Sequence, residues 1–210
     1  DVYEKPIENH DYVCTVDVAR GGGNDYSAFV VVDITEYPHK VVAKYKNNEI
    51  KPMLFPTIIV DIAKAYNNAF ILCEVNDIGD QVASILNYDL EYDNLLMCSQ
   101  RGRAGQVVGA GFSGKRSQLG VRTTQAVKKL GCSNLKTLLE DDKILIIDYD
   151  IISELTTFAQ KHNSFEAEEG CNDDLAMCLV IYAWLVQQEY FKELTDQDVR
   201  KRIYEDQRDQ

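Results

Sequence analysis

Tyr12–Ala19 reads YVCTVDVA, a row of β-branched and apolar residues carrying one aspartate, Asp17, near its end. It runs into the glycine turn Arg20–Asn24 (RGGGN). A run this short and apolar, bounded by turn residues, reads as a buried strand. Ala28–Ile34 (AFVVVDI) and Val41–Tyr45 (VVAKY) follow closely, and the short turns between the three predict an antiparallel meander. Pro56 opens a helical stretch, Thr57–Asn67, with proline in its favoured first turn. Ala69–Val75 (AFILCEV) then repeats the opening pattern, with Glu74 as the acid near the strand's end.

Further along, a helix is expected over Asp77–Leu86 and a strand over Leu95–Ser99. Six of the 12 glycines fall between Gly102 and Gly120, so residues of about 100–120 form an irregular or hairpin excursion. A helix containing Thr123–Leu130 and a second over Ser133–Glu140, capped by Ser133, come next. Lys143–Tyr149 (KILIIDY) reads as a strand, Ile151–Lys161 as a helix, and about Asn172–Phe191 as the final helix. Residues 1–11 look linker-like, and the tail 192–210, with five bases and six acids, reads as a surface helix or frayed end. The expected fold class is α/β: one domain over 1–210 with a mixed central sheet flanked by helices.

A chain of 210 residues, 45% hydrophobic and 27% charged, excludes disorder for most of its length. The longest apolar run, Leu175–Val186, is twelve residues, too short to cross a bilayer, and no charged-then-apolar leader is expected. Opening at Asp1, the chain reads as an excised domain. Six cysteines without a CxxC pair, and three scattered histidines (His10, His39, His162), point to buried thiols rather than disulfides or zinc. The net charge is −12, but Asn94–Leu139 contains no acid and eight bases. That segregation predicts a positive face able to hold a polyanion on an otherwise acidic body.

Four acids stand where apolar groups belong: Asp17, Glu74, and the pair Asp173 and Asp174 directly before the twelve apolar residues of the last helix. An uncompensated charge near a core costs several kcal/mol. Divalent cations such as Mg²⁺ compensate such acids economically, because hard cations prefer oxygen ligands. Each acid alone has a plainer explanation. A strand-end acid is often solvated, Asp173 or Asp174 could cap the helix, and Asp25 is most simply a turn residue. Periodicity does not choose between Asp173 and Asp174.

The patterns TVDVARGGGNDYSAF, ILCEVNDIG and AEEGCNDDLAMCLVIYAW resemble the nuclease domain of the large terminase subunit of T-even-type tailed bacteriophages. LGCSNLKTLLEDDKI adds to the resemblance, which runs from about Tyr12 to Phe191. It implies an RNase H-like fold, shared with RuvC-type resolvases and integrases, and a metal-dependent endonuclease that cuts concatemeric double-stranded viral DNA during packaging. Asp17, Glu74 and Asp174 match the family's catalytic and metal-holding acids, with Asp25 and Asp173 as further acids near the metals. Two Mg²⁺ ions, for which Mn²⁺ substitutes, then lie about 3.5–4 Å apart and clamp the attacking and leaving oxygens. Asp17 bridges them on this reading. Many relatives carry His where Asn172 stands, which puts metal affinity or pH dependence in doubt at that position.

The candidate phosphate contacts are Arg101, Arg103, Lys115, Arg116, Arg122, Lys128 and Lys129, giving strong salt dependence and little sequence preference. Gly109–Arg116 mimics a phosphate loop but ends in Arg where Ser or Thr would hold Mg²⁺, so no nucleotide site is expected. The packaging ATPase domain is expected elsewhere on the full-length chain. The resemblance further implies that ATPase domain, the portal and the small terminase subunit as partners, no membrane, and work in the host cytoplasm, transiently on the procapsid. Rival readings are a RuvC-like junction resolvase and a non-catalytic DNA-docking module.

Overall fold

The computed structural model describes residues 1–20, 25–100, 105–109, 117–162 and 164–195. Its centre is a five-stranded mixed sheet. β1 (Tyr12–Asp17), β2 (Ser27–Asp33) and β3 (His39–Asn47) form the antiparallel meander. β4 (Phe70–Cys73) lies parallel to β1 on one side. A later short strand, Ile144–Leu145, lies parallel to β3 on the other. Leu95 and Val121 make isolated parallel bridges to Ile71 and Glu74 beyond β4.

Helices cover both faces, which is why the strands are apolar on both sides. α1 (Phe55–Ala65) and α2 (Gly79–Ser84), the latter continuing into a π-helical turn Ile85–Asp89, pack one apolar layer with Cys14, Val16, Phe29 and Ile71. α3 (Gln125–Glu140), α4 (Tyr149–Thr157) and α5 (Asp174–Val186) serve the other layer. All twelve residues Leu175–Val186 are buried, as a helix apolar all round requires. Thr15, buried in β1, is satisfied by donating its hydroxyl to the Cys178 carbonyl at 2.9 Å. Among the described residues no helix is long and apolar enough to cross a membrane. All six cysteines are free, and Cys14, Cys73, Cys98 and Cys178 are buried.

Four local expectations are corrected. The helices expected at Thr123–Leu130 and Ser133–Glu140 are one, α3, capped by Thr124, whose hydroxyl oxygen accepts from the Val127 N–H at 3.3 Å. Gly131 lies inside it because α5 passes there: a Cβ would stand 2.4 Å from the Val180 carbonyl oxygen. In KILIIDY only Ile144 and Leu145 pair with the sheet, because Asp148 turns the chain to cap α4, accepting from the Ile151 N–H at 2.8 Å. The helix expected to reach Lys161 stops at Thr157, and Phe158–Lys161 pairs with Ser164–Ala167 as a hairpin. The final helix also breaks: α5 ends at Val186, and helix resumes over 189–195. Around the glycine-rich excursion, Met97–Gln100 pairs with Gln106–Gly109 and Ser117–Gln118.

Candidate active site

Two neighbouring parallel strands end together. Val16 of β1 pairs with Cys73 of β4, and the Glu74 N–H donates to the Val16 carbonyl at 2.9 Å. The residues that follow, Asp17 and Glu74, therefore stand side by side at the carboxyl edge of the sheet, where open α/β sheets place their ligands. Behind them the chain turns tightly: a Cβ on Gly79 would come within 2.0 Å of the Glu74 carbonyl oxygen. Only glycine permits that approach.

The Asp17 carboxyl is driven well above its usual range. Burial is the largest cause, then the charge and hydrogen bond of Glu74, then the charges of Asp174 and Asp173. Two acids set side by side repel each other, which a proton or a cation relieves. Among the described residues no lysine or arginine forms an ion pair with either. Asn76 donates its amide to Glu74 Oε1 at 3.0 Å and to the Thr123 carbonyl at 3.3 Å. The pair opens onto a cleft of about 630 Å³, also lined by Asp173, Asn76, Thr123, Lys128, Lys161 and His162. The Thr123 hydroxyl oxygen is buried without a hydrogen-bond partner.

Asp173 and Asp174 part company at the start of α5. Asp173 occupies the cap position but makes no capping bond with its side chain; its Oδ2 accepts from the Ala167 N–H at 3.2 Å, and it lines the cleft. Asp174 Oδ1 accepts from the Tyr26 N–H at 3.3 Å, and its Oδ2 lies 3.8 Å from Lys46 Nζ. It is not among the cleft-lining residues, though its charge bears on Asp17. Its own carboxyl is pushed up to about 6, by burial first and then by Glu154, against Lys46 and the Tyr26 N–H. Glu154 of α4 supplies the missing cap: its Oε2 accepts from the Leu175 and Ala176 N–H groups at 2.7 and 3.0 Å. Neither aspartate is spent on capping.

The remaining expected residues divide. Asp25 is exposed, and Asn172 lines a separate pocket with Tyr26, Lys46 and Glu154. Lys128 reaches the cleft, with its ammonium 5.6 Å from the Phe158 ring centroid, while Arg122 and Lys129 are exposed. Arg101, Arg103, Lys115 and Arg116 lie outside the described residues, as does most of the phosphate-loop mimic. Lys161 was missed from sequence because its strand was expected to be helix, and His162 because the three histidines look scattered along the chain. Glu154 had a detectable signal: Ile151, Leu155 and Phe158 mark the inward face of its segment, and an acid three residues after Ile151 belongs to that face.

The donors are oxygens, which suits a hard divalent cation. Among the described residues no three of His, Cys, Asp and Glu close around one point as a finished cage. Asp17 and Glu74 side by side, with Asp173 on the same cleft, form an open donor set instead. Such a set matches the habit of Mg²⁺, which takes one or two carboxylates and completes its shell with water and substrate phosphate.

Among solved structures, the large terminase nuclease from thermophilic phage G20c with bound magnesium is 19% identical, at a TM-score of 0.66 over 90% of this chain and 87% of that one. The form of that nuclease with bound cobalt is 22% identical, at 0.64 over 90% and 87%. The Thermus phage P74-26 large terminase nuclease domain is 20% identical, at 0.62 over 90% and 85%. At such identities the likeness establishes the RNase H-like fold. The family model of the terminase RNaseH-like domain matches residues 14–197, nearly the whole chain, and the protein belongs to that family.

Proposed function

We propose that this domain is a metal-dependent endonuclease that cuts concatemeric double-stranded viral DNA during genome packaging, with little sequence preference. The observation that carries the proposal is the Asp17–Glu74 contact: two carboxyls held together at the edge of the sheet, without a base, in a cleft that also presents Lys128 and Lys161. A fold that forces two acids together needs a cation to relieve them. Two of the structures named above are of a large terminase nuclease with magnesium or cobalt bound, and membership of the terminase RNaseH-like family supports the same reading for this chain.

Asp17, Glu74 and Asp174 are the residues assigned to hold the ions, with Asp173 as a further donor on the cleft and Asp25 left to the turn. Two divalent ions held by these acids, Mg²⁺ with Mn²⁺ as a substitute, would supply Lewis acidity toward water and the leaving oxygen. Asn76 fixes one oxygen of Glu74 and so orients the other. Lys128 and Lys161 hold backbone phosphate through charge, which carries no sequence information. Arg122 and Lys129 extend the contact outside the cleft. The ATPase domain of the full-length chain, the portal and the small terminase subunit are the partners this assignment brings with it, in the host cytoplasm.

The test is plasmid cleavage with Mg²⁺ or Mn²⁺, with and without chelator, for the wild type and Asp17→Asn. Metal-dependent cutting that the substitution abolishes, with DNA binding retained, supports the proposal. Full activity in the variant ends it. A domain that binds DNA but gives no heat with Mn²⁺ is a docking module instead.

A further inference from the structure

Lys46, on β3, and Glu154, on α4, lie outside the acidic cleft and take no part in the reaction proposed above. Glu154 is buried and uses its two oxygens separately. Oε2 accepts from the Leu175 and Ala176 N–H groups, and Oε1 accepts from Lys46 Nζ. The same ammonium stands 3.8 Å from Asp174 Oδ2 and 4.3 Å from the centroid of the Tyr26 ring, while the Tyr26 N–H donates to Asp174 Oδ1. One cation thus has two carboxylates within reach. It hydrogen-bonds to one and stands off from the other.

We propose that Glu154 is a positioning residue that holds Lys46 off Asp174, leaving the Asp174 carboxylate free to join Asp17 and Glu74 around a divalent cation. The inference rests on the assignment of Asp174 as a metal-holding acid. A lysine ammonium in direct contact with a carboxylate competes with a metal for the same oxygens, whereas one held further off only attracts it. The pocket of about 620 Å³ beside Lys46, lined also by Tyr26, Tyr45 and Asn172, leaves the side chain room to swing once Glu154 loses its charge. By capping α5, Glu154 also fixes the turn that carries Asp174.

Calorimetric Mn²⁺ titration of the wild type, Glu154→Gln, Lys46→Met and the double variant tests this. Glutamine keeps an oxygen for the Leu175 and Ala176 N–H groups but loses the charge that detains Lys46. Glu154→Gln is expected to weaken Mn²⁺ binding about tenfold. The double variant should return to within about twofold of the wild type, and Lys46→Met alone should bind at least as tightly as the wild type. Equal losses in Glu154→Gln and the double variant mean a purely structural cap and overturn the inference. If circular dichroism shows Glu154→Gln unfolded, Lys46→Met decides alone, and weaker binding there overturns it. A wild type that takes up no Mn²⁺ brings down the active-site assignment first, a failure that Asp17→Asn reveals separately through cleavage.

Discussion

Two places in this molecule bury carboxylates, and they treat them in opposite ways. Behind β3, Lys44 is buried and donates to Asp148 at 2.8 Å, with Asp150 also bonded to the same ammonium. The Tyr3 hydroxyl donates to the other oxygen of Asp148 at 2.6 Å. Burial alone would raise the Asp148 carboxyl, but the bonds from Lys44, Tyr3 and the Ile151 N–H hold it below its usual range. At the carboxyl edge of β1 and β4 the same burial is met only by further acids, and Asp17 rises. The fold pairs the first cluster with a lysine and, among the described residues, pairs no lysine or arginine with Asp17 or Glu74. That contrast distinguishes a site from a scaffold better than the number of acids does.

The largest consequence is on activity. Asp17→Asn should lower metal-dependent cleavage by about 10³-fold or more, with an unchanged circular dichroism spectrum. A variant within tenfold of the wild type would remove Asp17 from the chemistry and erase the contrast. On the other side, Lys44→Met strands Asp148 beside an apolar layer and should cost about 3–5 kcal/mol of unfolding free energy, read by urea titration. Adding Asp148→Asn should recover much of that loss. Mn²⁺ affinity should stay unchanged throughout, because this cluster touches no metal-holding acid.

The strands β1 to β4 were legible because each is an apolar run closed by turn residues, and the edge acids because Asp17 and Glu74 break such runs in the same place. α5 was legible for the same reason, with twelve apolar residues in a row. What escaped was set by contacts between elements distant in sequence. Gly131 looks like a helix break until Val180 of α5 is seen pressed against it. Asp148 looks like the end of a strand, and is a cap with a lysine partner more than a hundred residues earlier. Lys46 was passed over because it is unremarkable in its own element, and Glu154, although its spacing from Ile151 marks an inward face, shows its role only against the start of α5. Local pattern reveals where an acid is anomalous; only the fold reveals which base attends it.

The two regions should also answer pH with opposite signs. Asp174 titrates near 3.8 when unfolded and is pushed up to about 6 in the fold. A folded state that binds the proton more tightly is favoured in acid. The contribution is therefore full below about pH 4 and is lost as pH rises through 6, about 3 kcal/mol in all. In chelator, Asp174→Asn should gain on the wild type by up to that amount between pH 4 and 7, measured by denaturant titration. Mn²⁺ should close the gap by stabilising the wild type. Asp148, held low, contributes stability that is present above its unfolded value and lost as pH falls below it. Comparing Asp148→Asn with its parent should give the reverse slope at the acid end. Parallel slopes would mean that the two clusters are not differently compensated after all.

The smallest effect belongs to a third acid–base contact, which looks as if it should matter. Arg20 and Asp77 each lie three residues beyond an active-site acid, Arg20 after Asp17 and Asp77 after Glu74, and they form a two-bonded ion pair joining the two loops. The geometry is that of a strong pair, but the side chains are 77% and 55% exposed. Water and salt therefore screen a contact that Lys44 and Asp148 make in a dry layer. A double-mutant cycle with Arg20→Ala and Asp77→Ala should return little coupling, shrinking further as salt is added. Strong coupling that persists undiminished in salt would instead make the pair a clamp on the loops after Asp17 and Glu74.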